Sequence, residues 1–152
     1  MDWFHADTTL QTTLARDLSG AFAEVAPHLL GALAQAGRQR IAPLSWLADR
    51  HPPQLRTHDP FGERIDEVVY HPSQRELARL CFCDLGLLAM KYEGFGGVAP
   101  ALSGDSPDLQ AELAEEGAAP QLLSFAAAYV LAQADAGQCA ALALADATAR
   151  VI

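Results

Sequence analysis

The residues from Pro120 to Ile152, PQLLSFAAAYVLAQADAGQCAALALADATARVI, form the longest apolar run in the chain. The spacing predicts one long helix from Pro120 to Gln138, because a proline fits a first helical turn, where its missing N–H costs nothing. At about 100° per residue, Gln121, Ser124, Asp135 and Gln138 share one narrow side. Leu122, Leu123, Phe125, Tyr129 and Val130 cover most of the remainder. A helix apolar over so much of its circumference needs neighbours around it, which places it at the centre of a helical bundle. Gln133 stands opposite the polar stripe, and a side-chain amide among apolar neighbours must find hydrogen-bond partners or cost about 1–3 kcal/mol. It either pins an adjacent loop backbone or faces a ligand. Gly137 is expected to loosen the helix before a second Ala-rich segment runs to the last residue.

Whether this run could instead cross a membrane is decided by its interruptions. About 20 consecutive apolar residues would be needed. Here Gln121, Gln133, Asp135 and Gln138 intervene, and each is costly in lipid. A buried helix of a water-soluble protein follows. The 152 residues suit one domain with a real core, and 51% hydrophobic against 19% charged residues argues against disorder. A net charge of −9 argues against nucleic-acid binding, which needs basic groups to replace counterions around phosphates. Three cysteines cannot all pair, and Cys81 and Cys83 are too close for an ordinary bridge, which points to a reducing compartment. The start, MDWFHAD, has neither the basic nor the apolar region of a signal peptide. The expected location is the cytoplasm.

Earlier in the chain, Asp7-Thr8-Thr9 offers a helix N-cap, followed by Leu10, Leu14 and Leu18 at helical spacing. Ser19-Gly20 breaks that helix. Ala21 to Ala36 predicts another, with Phe22, Val25, Leu29, Leu30 and Leu33 on one face and Gly37 as its stop. Pro27 implies a start near Glu24 or a kink. A third helix is expected from Pro43 to about Arg50, burying Leu44 and Leu47. The His51-Pro52-Pro53 run then forces an extended path. A β-hairpin over about residues 54–70 follows, turning at Asp59-Pro60-Phe61-Gly62, whose order suits a type I turn. The hairpin is expected to lie against the helices, since one hairpin does not make a sheet domain. His71-Pro72-Ser73 opens a helix with Leu77, Leu80, Cys81 and Leu85 inward. A glycine-rich connector from Gly94 to Gly104 and a short acidic helix from Ser106 to about Glu116 lead back to Pro120. The fold class is therefore all-α, a helical bundle with one small β-hairpin.

No self-contained catalytic constellation is present. The five histidines lack the spacing that puts two ligands on one helical face, although His51, His58 and His71 could converge around the hairpin. On a helix, Cys81 and Cys83 would point about 200° apart, so they cannot jointly hold a metal. The thiols are expected to be buried and inert. Glu93-Gly94-Phe95-Gly96-Gly97 follows no strand and no Lys-Ser or Lys-Thr completes it, so it is no phosphate cradle. Neither a catalytic residue nor a metal site is expected.

An ordered set of fragments adds what spacing cannot. Trp3-Phe4-His5-Ala6-Asp7, Ala48-Asp49-Arg50-His51-Pro52-Pro53-Gln54-Leu55 and the long run Asp59-Pro60-Phe61-Gly62-Glu63-Arg64-Ile65-Asp66-Glu67-Val68-Val69-Tyr70-His71-Pro72 resemble the adaptive-response (alkylation-response) branch of the acyl-CoA dehydrogenase family. Ala132-Gln133-Ala134-Asp135-Ala136-Gly137 and Asp146-Ala147-Thr148-Ala149-Arg150-Val151-Ile152 extend the likeness over nearly the whole chain. The resemblance implies the N-terminal helical domain of a larger FAD flavoprotein, with a β-domain and a C-terminal helical domain as its missing partners. It further implies a homo-oligomer when full length, α,β-dehydrogenation of an acyl-CoA thioester, and a catalytic base outside this chain. Gln133 becomes a candidate for the substrate-pocket wall. Ala143, Leu144 and Ala145 occupy the positions where relatives approach the flavin. Relatives tend there to have Cys-Pro and then a Ser/Thr-Met-Thr run, whereas this chain has Cys139-Ala140-Ala141-Leu142-Ala143-Leu144-Ala145, which offers no hydroxyl. No FAD is expected on the isolated chain.

Two further possibilities differ from an enzyme domain. One is a stand-alone helical interaction module that kept the fold and lost the chemistry, and the alanines at 143 and 145 favour it. The other is a small-ligand-binding bundle, favoured by Gln133 and the apolar face around it. The final Ala149-Arg150-Val151-Ile152, without a polar tail, predicts a coding sequence that continues.

Overall fold

The computed structural model describes residues 3–93, 115 and 119–151. The expected glycine-rich connector and nearly all of the acidic helix lie outside these residues. In order, the elements are α1 (Trp3–Ala6), α2 (Thr8–Asp17), α3 (Ala21–Ala36), α4 (Ala42–Arg50), β1 (Gln54–His58), β2 (Arg64–Val69), α5 (Pro72–Arg79), α6 (Leu87–Tyr92), α7 (Gln121–Ala132) and α8 (Ala136–Ala149). The described residues are mostly helical with one antiparallel hairpin, as the periodicities predict.

The centre of the bundle is α3, not the C-terminal run. Val25, Leu29, Leu30 and Leu33 are wholly buried, and the helix passes through Pro27 without ending. On α7 only one stripe is buried: Leu123, Ala126, Ala127, Val130 and Leu131, at the spacing of a single helical face. The alanines of that stripe let α7 approach α3 closely, while Phe125 and Tyr129 point outward, 60% and 48% exposed. Apolarity had suggested burial all round; the large aromatics lie instead on the solvent side.

The expected continuous helix from Pro120 to Gln138 is two helices, and Gly137 is not the joint. The chain leaves the α7 helix at Gln133 and Ala134, where the Ala134 and Asp135 amides both bond to the Leu131 carbonyl at 2.8 and 2.9 Å. Asp135 then adopts an extended conformation, and its Oδ1 accepts the Gln138 amide at 2.7 Å, capping α8. Gly137 makes room for that cap, since a Cβ there would lie 3.1 Å from Asp135 Oδ1. Asp135 followed three residues later by Gln138 is a recognisable capping pattern.

Gly37 likewise does not stop α3. It is right-handed and opens one wide π-type turn, Gly37–Ile41, that carries the chain directly into α4. What requires glycine here is space. A Cβ at position 37 would sit 2.8 Å from Trp3 Cζ3, so Trp3 packs against bare backbone. Phe4 is buried beside it, and Asp7 caps α2 by accepting the Leu10 amide at 2.8 Å. A second wide turn, Leu80–Asp84, ends α5. Leu77, Leu80, Cys81 and Leu85 are buried as expected, whereas Leu44 and Leu47 are only half-buried.

The hairpin has the expected turn. The Gly62 amide bonds to the Asp59 carbonyl at 3.2 Å, and Asp59 Oδ1 accepts the amides of Phe61 and Glu63. Gly62 takes a positive φ of 88°, which only glycine adopts freely. Leu55 pairs with Val68 and Arg56 with Glu67, and a bulge follows at Asp66. Contrary to expectation, the hairpin projects from the helices. Every strand residue is exposed except half-buried Val69. Leu55, Phe61, Ile65 and Val68 all stay exposed, and the strands pair with each other. At its neck, the rings of His51 and His71 stack with centroids 4.3 Å apart. His71 also caps α5: its Nδ1 accepts the Ser73 amide, and Gln74 Oε1 accepts the His71 amide. His58, at the far end of β1, is hydrogen-bonded to neighbouring Thr57 instead.

Candidate functional site

Two of the candidate residues, Gln133 and Ala143, border separate recesses. Gln133 is exposed, not enclosed by apolar side chains as its position had suggested, because α7 ends there. It borders an open groove with Trp3, Asp7, Thr8, Thr9 and Tyr129. The groove's polar side is organised by one contact: the Tyr129 hydroxyl donates to Asp7 Oδ2 at 2.9 Å. The Leu10 amide, with help from Tyr129, holds the Asp7 carboxyl below its usual range, and the same Asp7 pushes the Tyr129 phenol up.

Ala143 lines the second recess, a cavity of about 240 Å³ between α6, α7 and α8. Leu87, Leu88, Phe125, Ala128 and Leu142 make its walls mostly apolar, and Lys91, Asp146, Ser124 and Cys139 also line it. Lys91 Nζ lies 2.7 Å from both Asp146 carboxylate oxygens, with both side chains mostly buried. The Tyr92 hydroxyl donates to the same carboxylate, and Arg150 Nε approaches it at 3.4 Å. Lys91 first, then Tyr92, lowers the Asp146 carboxyl, and Asp146 raises the Tyr92 phenol. The i,i+4 pair of Asp146 and Arg150 is local, but nothing local announces its joining to Lys91 and Tyr92, more than 50 residues away.

The other two candidate flavin positions do not join Ala143 in the cavity wall. Leu144 is 71% exposed, and Ala145 is half-buried. The nearby Thr148 hydroxyl is engaged with the Leu144 carbonyl at 2.9 Å. Ala143, Leu144 and Ala145 therefore present no side-chain hydrogen bond to a flavin, and they do not fit the polar part of a cofactor site. They can contribute apolar surface only.

The thiols differ from one another. Cys81 is fully buried, and burial, with the nearby Asp135 charge, pushes its thiol up to about 12. Cys83 is exposed, contrary to the expectation that all three are buried, and Cys139 is half-buried with Sγ 3.5 Å from the Ala128 carbonyl. Among the described residues no group of three or more His, Cys, Asp or Glu could hold a metal ion. Nor is any described helix long and apolar enough to cross a membrane.

Residues 1–152, the whole chain, match the family described as the adaptive response protein AidB N-terminal domain. The chain belongs to that family. Comparisons with curated proteins and with solved structures gave no match. Membership accounts for the ordered fragments of the sequence, and the fold gives several of them a physical role. Trp3 packs on Gly37, Phe4 enters the core and Asp7 caps α2; Asp59 and Gly62 make the hairpin turn; Asp135 caps α8.

Proposed function

We propose that this AidB N-terminal domain serves as the helical wall of an acyl-CoA dehydrogenase-like FAD flavoprotein. In the full-length protein the flavin would supply hydride acceptance during α,β-dehydrogenation of an acyl-CoA thioester. This chain's own part is to shape and exclude water from one side of the acyl and flavin pocket, with Gln133 on the substrate side and Ala143, Leu144 and Ala145 on the cofactor side. It carries no catalytic base. The β-domain and the C-terminal helical domain are its expected partners, in a cytoplasmic homo-oligomer that does not bind nucleic acid through this domain.

The observation that carries this reading is the family match over all 152 residues. A second reading, a stand-alone helical interaction module, is favoured by the absence of hydroxyls at positions 143–145. The two separate on the full coding sequence. The flavoprotein reading expects it to continue past Ile152, and its purified product to carry FAD that acyl-CoA bleaches. A stop codon directly after Ile152, or a full-length product without flavin, would favour the interaction module.

A further inference from the structure

We propose that the stacked His51–His71 pair is a pH-sensitive latch at the base of the hairpin, closed while His71 is neutral and opened when His71 takes up a proton. The chain gives this pair a particular job. Gln54 and Val69 form the last rung of the ladder. Beyond it, Pro52, Pro53 and Pro72 have no backbone N–H with which to tie the two strands together. The imidazole rings, with centroids 4.3 Å apart and planes within 18° of parallel, join the entering and leaving segments instead.

The backbone dictates opposite tautomers for the two rings. His51 Nδ1 lies 2.9 Å from the Leu47 carbonyl, which only accepts, so Nδ1 carries the proton. His71 Nδ1 accepts the Ser73 amide at 3.2 Å, so it must be bare, and the Ser73 hydroxyl donates to it at 2.7 Å. His51 can therefore gain a proton at Nε2 without losing a bond, at the C-terminal end of α4, where a cation is favoured. A proton on His71 Nδ1 removes the cap of α5, leaves the Ser73 amide facing an N–H, and sets a positive charge at a helix N-terminus. Ser73 is buried, so water does not readily replace that cap. If His51 is already charged, the second proton also places two cations in one stack.

The other groups around the neck do not make these bonds for the rings. On α4, Arg50 lies over the Trp46 ring at 4.0 Å, and on α5, Glu76 is held by Arg79 at 2.9 Å. Asp49, Tyr70 and Arg75 line a neighbouring recess together with Asp135. On the hairpin, Arg56 and Glu67 pair with each other. Because the native cap binds the neutral form of His71, the closed latch is stabilised at higher pH and loses that stabilisation as pH falls through the histidine range.

The test follows the ¹⁵N-labelled 152-residue chain by NMR from pH 7.5 to pH 5. Asp7 and Asp146, with carboxyls held below their ordinary range, stay ionised throughout. Ring ¹H–¹⁵N correlations at pH 7.5 should show His51 protonated on Nδ1 and His71 on Nε2. By pH 5 the Ser73 amide should lose about fivefold to tenfold protection against hydrogen exchange, corrected for intrinsic rates, the scale of a lost N-cap. His71→Asn, an N-cap that does not titrate, should keep that protection constant. His51→Gln should move the loss to higher pH, because the charge that resists His71 protonation is gone. If His71→Asn is misfolded by circular dichroism, the parent and His51→Gln series decide. The proposal is overturned by an Nδ1–H tautomer of His71 at pH 7.5, by constant Ser73 protection in the parent, or by the same loss in folded His71→Asn. A loss at unchanged pH in His51→Gln also overturns it, because His71 would then act without its partner.

Discussion

The Tyr129 hydroxyl donates to Asp7 Oδ2 at 2.9 Å, tying the first turn of α2 to the outward face of α7 across 122 residues of sequence. Asp7 also caps α2 through Oδ1, so one carboxylate serves a local and a long-range purpose. Both contacts favour its ionised form, and its folded pKa lies below the ordinary value of 3.8. The stabilisation is therefore complete above the unfolded pKa and is lost as pH falls through the lowered folded one. Asp7→Asn, which still caps, should melt below the parent at pH 7, and the gap should close in an acid series. Asp7→Ala should lose the cap as well, lowering Tm by about 2–4 °C. A gap between parent and Asp7→Asn that is constant from pH 7 to pH 2 would contradict this assignment.

Trp3 lies on Gly37 so closely that any Cβ at 37 collides with the indole. Gly37 is right-handed, so alanine brings no backbone strain there, and only the overpacking is felt. Gly37→Ala should cost about 1–3 kcal/mol in urea unfolding. Gly31→Ala, whose Cβ would meet the more exposed His5 ring at 3.1 Å, should cost less. The reverse order would show that Trp3 does not pack as described.

The division of labour between α3 and α7 gives a direct contrast. Leu30→Ala removes a wholly buried side chain and should destabilise by about 2–5 kcal/mol. Phe125→Ala removes a larger side chain that is 60% exposed and should cost distinctly less. Equal losses in chemical denaturation would place α7, not α3, at the centre.

Thiol labelling should follow exposure and ionisation. With a thiol pushed up to about 12 inside the core, Cys81 should remain unmodified by a thiol reagent at pH 8 in the native protein. Exposed Cys83 should react first. Peptide mapping by mass spectrometry after brief labelling distinguishes them, and early modification of Cys81 would refute its burial.

Much of this arrangement was legible because it is encoded locally. The Asp7 cap, the helix from Ala21 to Ala36, the Asp59 turn and the inward face of Leu77, Leu80, Cys81 and Leu85 each follow from a few neighbouring residues. What escaped were relationships between distant segments. Gly37 reads as a helix stop until Trp3 is known to lie on it. Gln133 reads as enclosed until α7 is seen to end there, although Asp135 and Gln138 carried the capping signal for that end. The hairpin's outward course and the Lys91–Asp146 cluster depend on the packing of segments far apart in sequence, which periodicity does not report. Of the candidate site, helix position singled out Gln133 and family resemblance supplied positions 143–145, but only the fold separates Gln133 from Ala143 into different recesses.

The central claim is that this domain lends shape to a flavin site without ligands of its own for the cofactor. The most direct measurement incubates the purified 152-residue chain with excess FAD, removes free cofactor by gel filtration and reads the visible spectrum of the protein peak. The account predicts a colourless peak with no flavin absorbance. A yellow protein retaining about one FAD per chain, with oxidised-flavin absorbance, would contradict it.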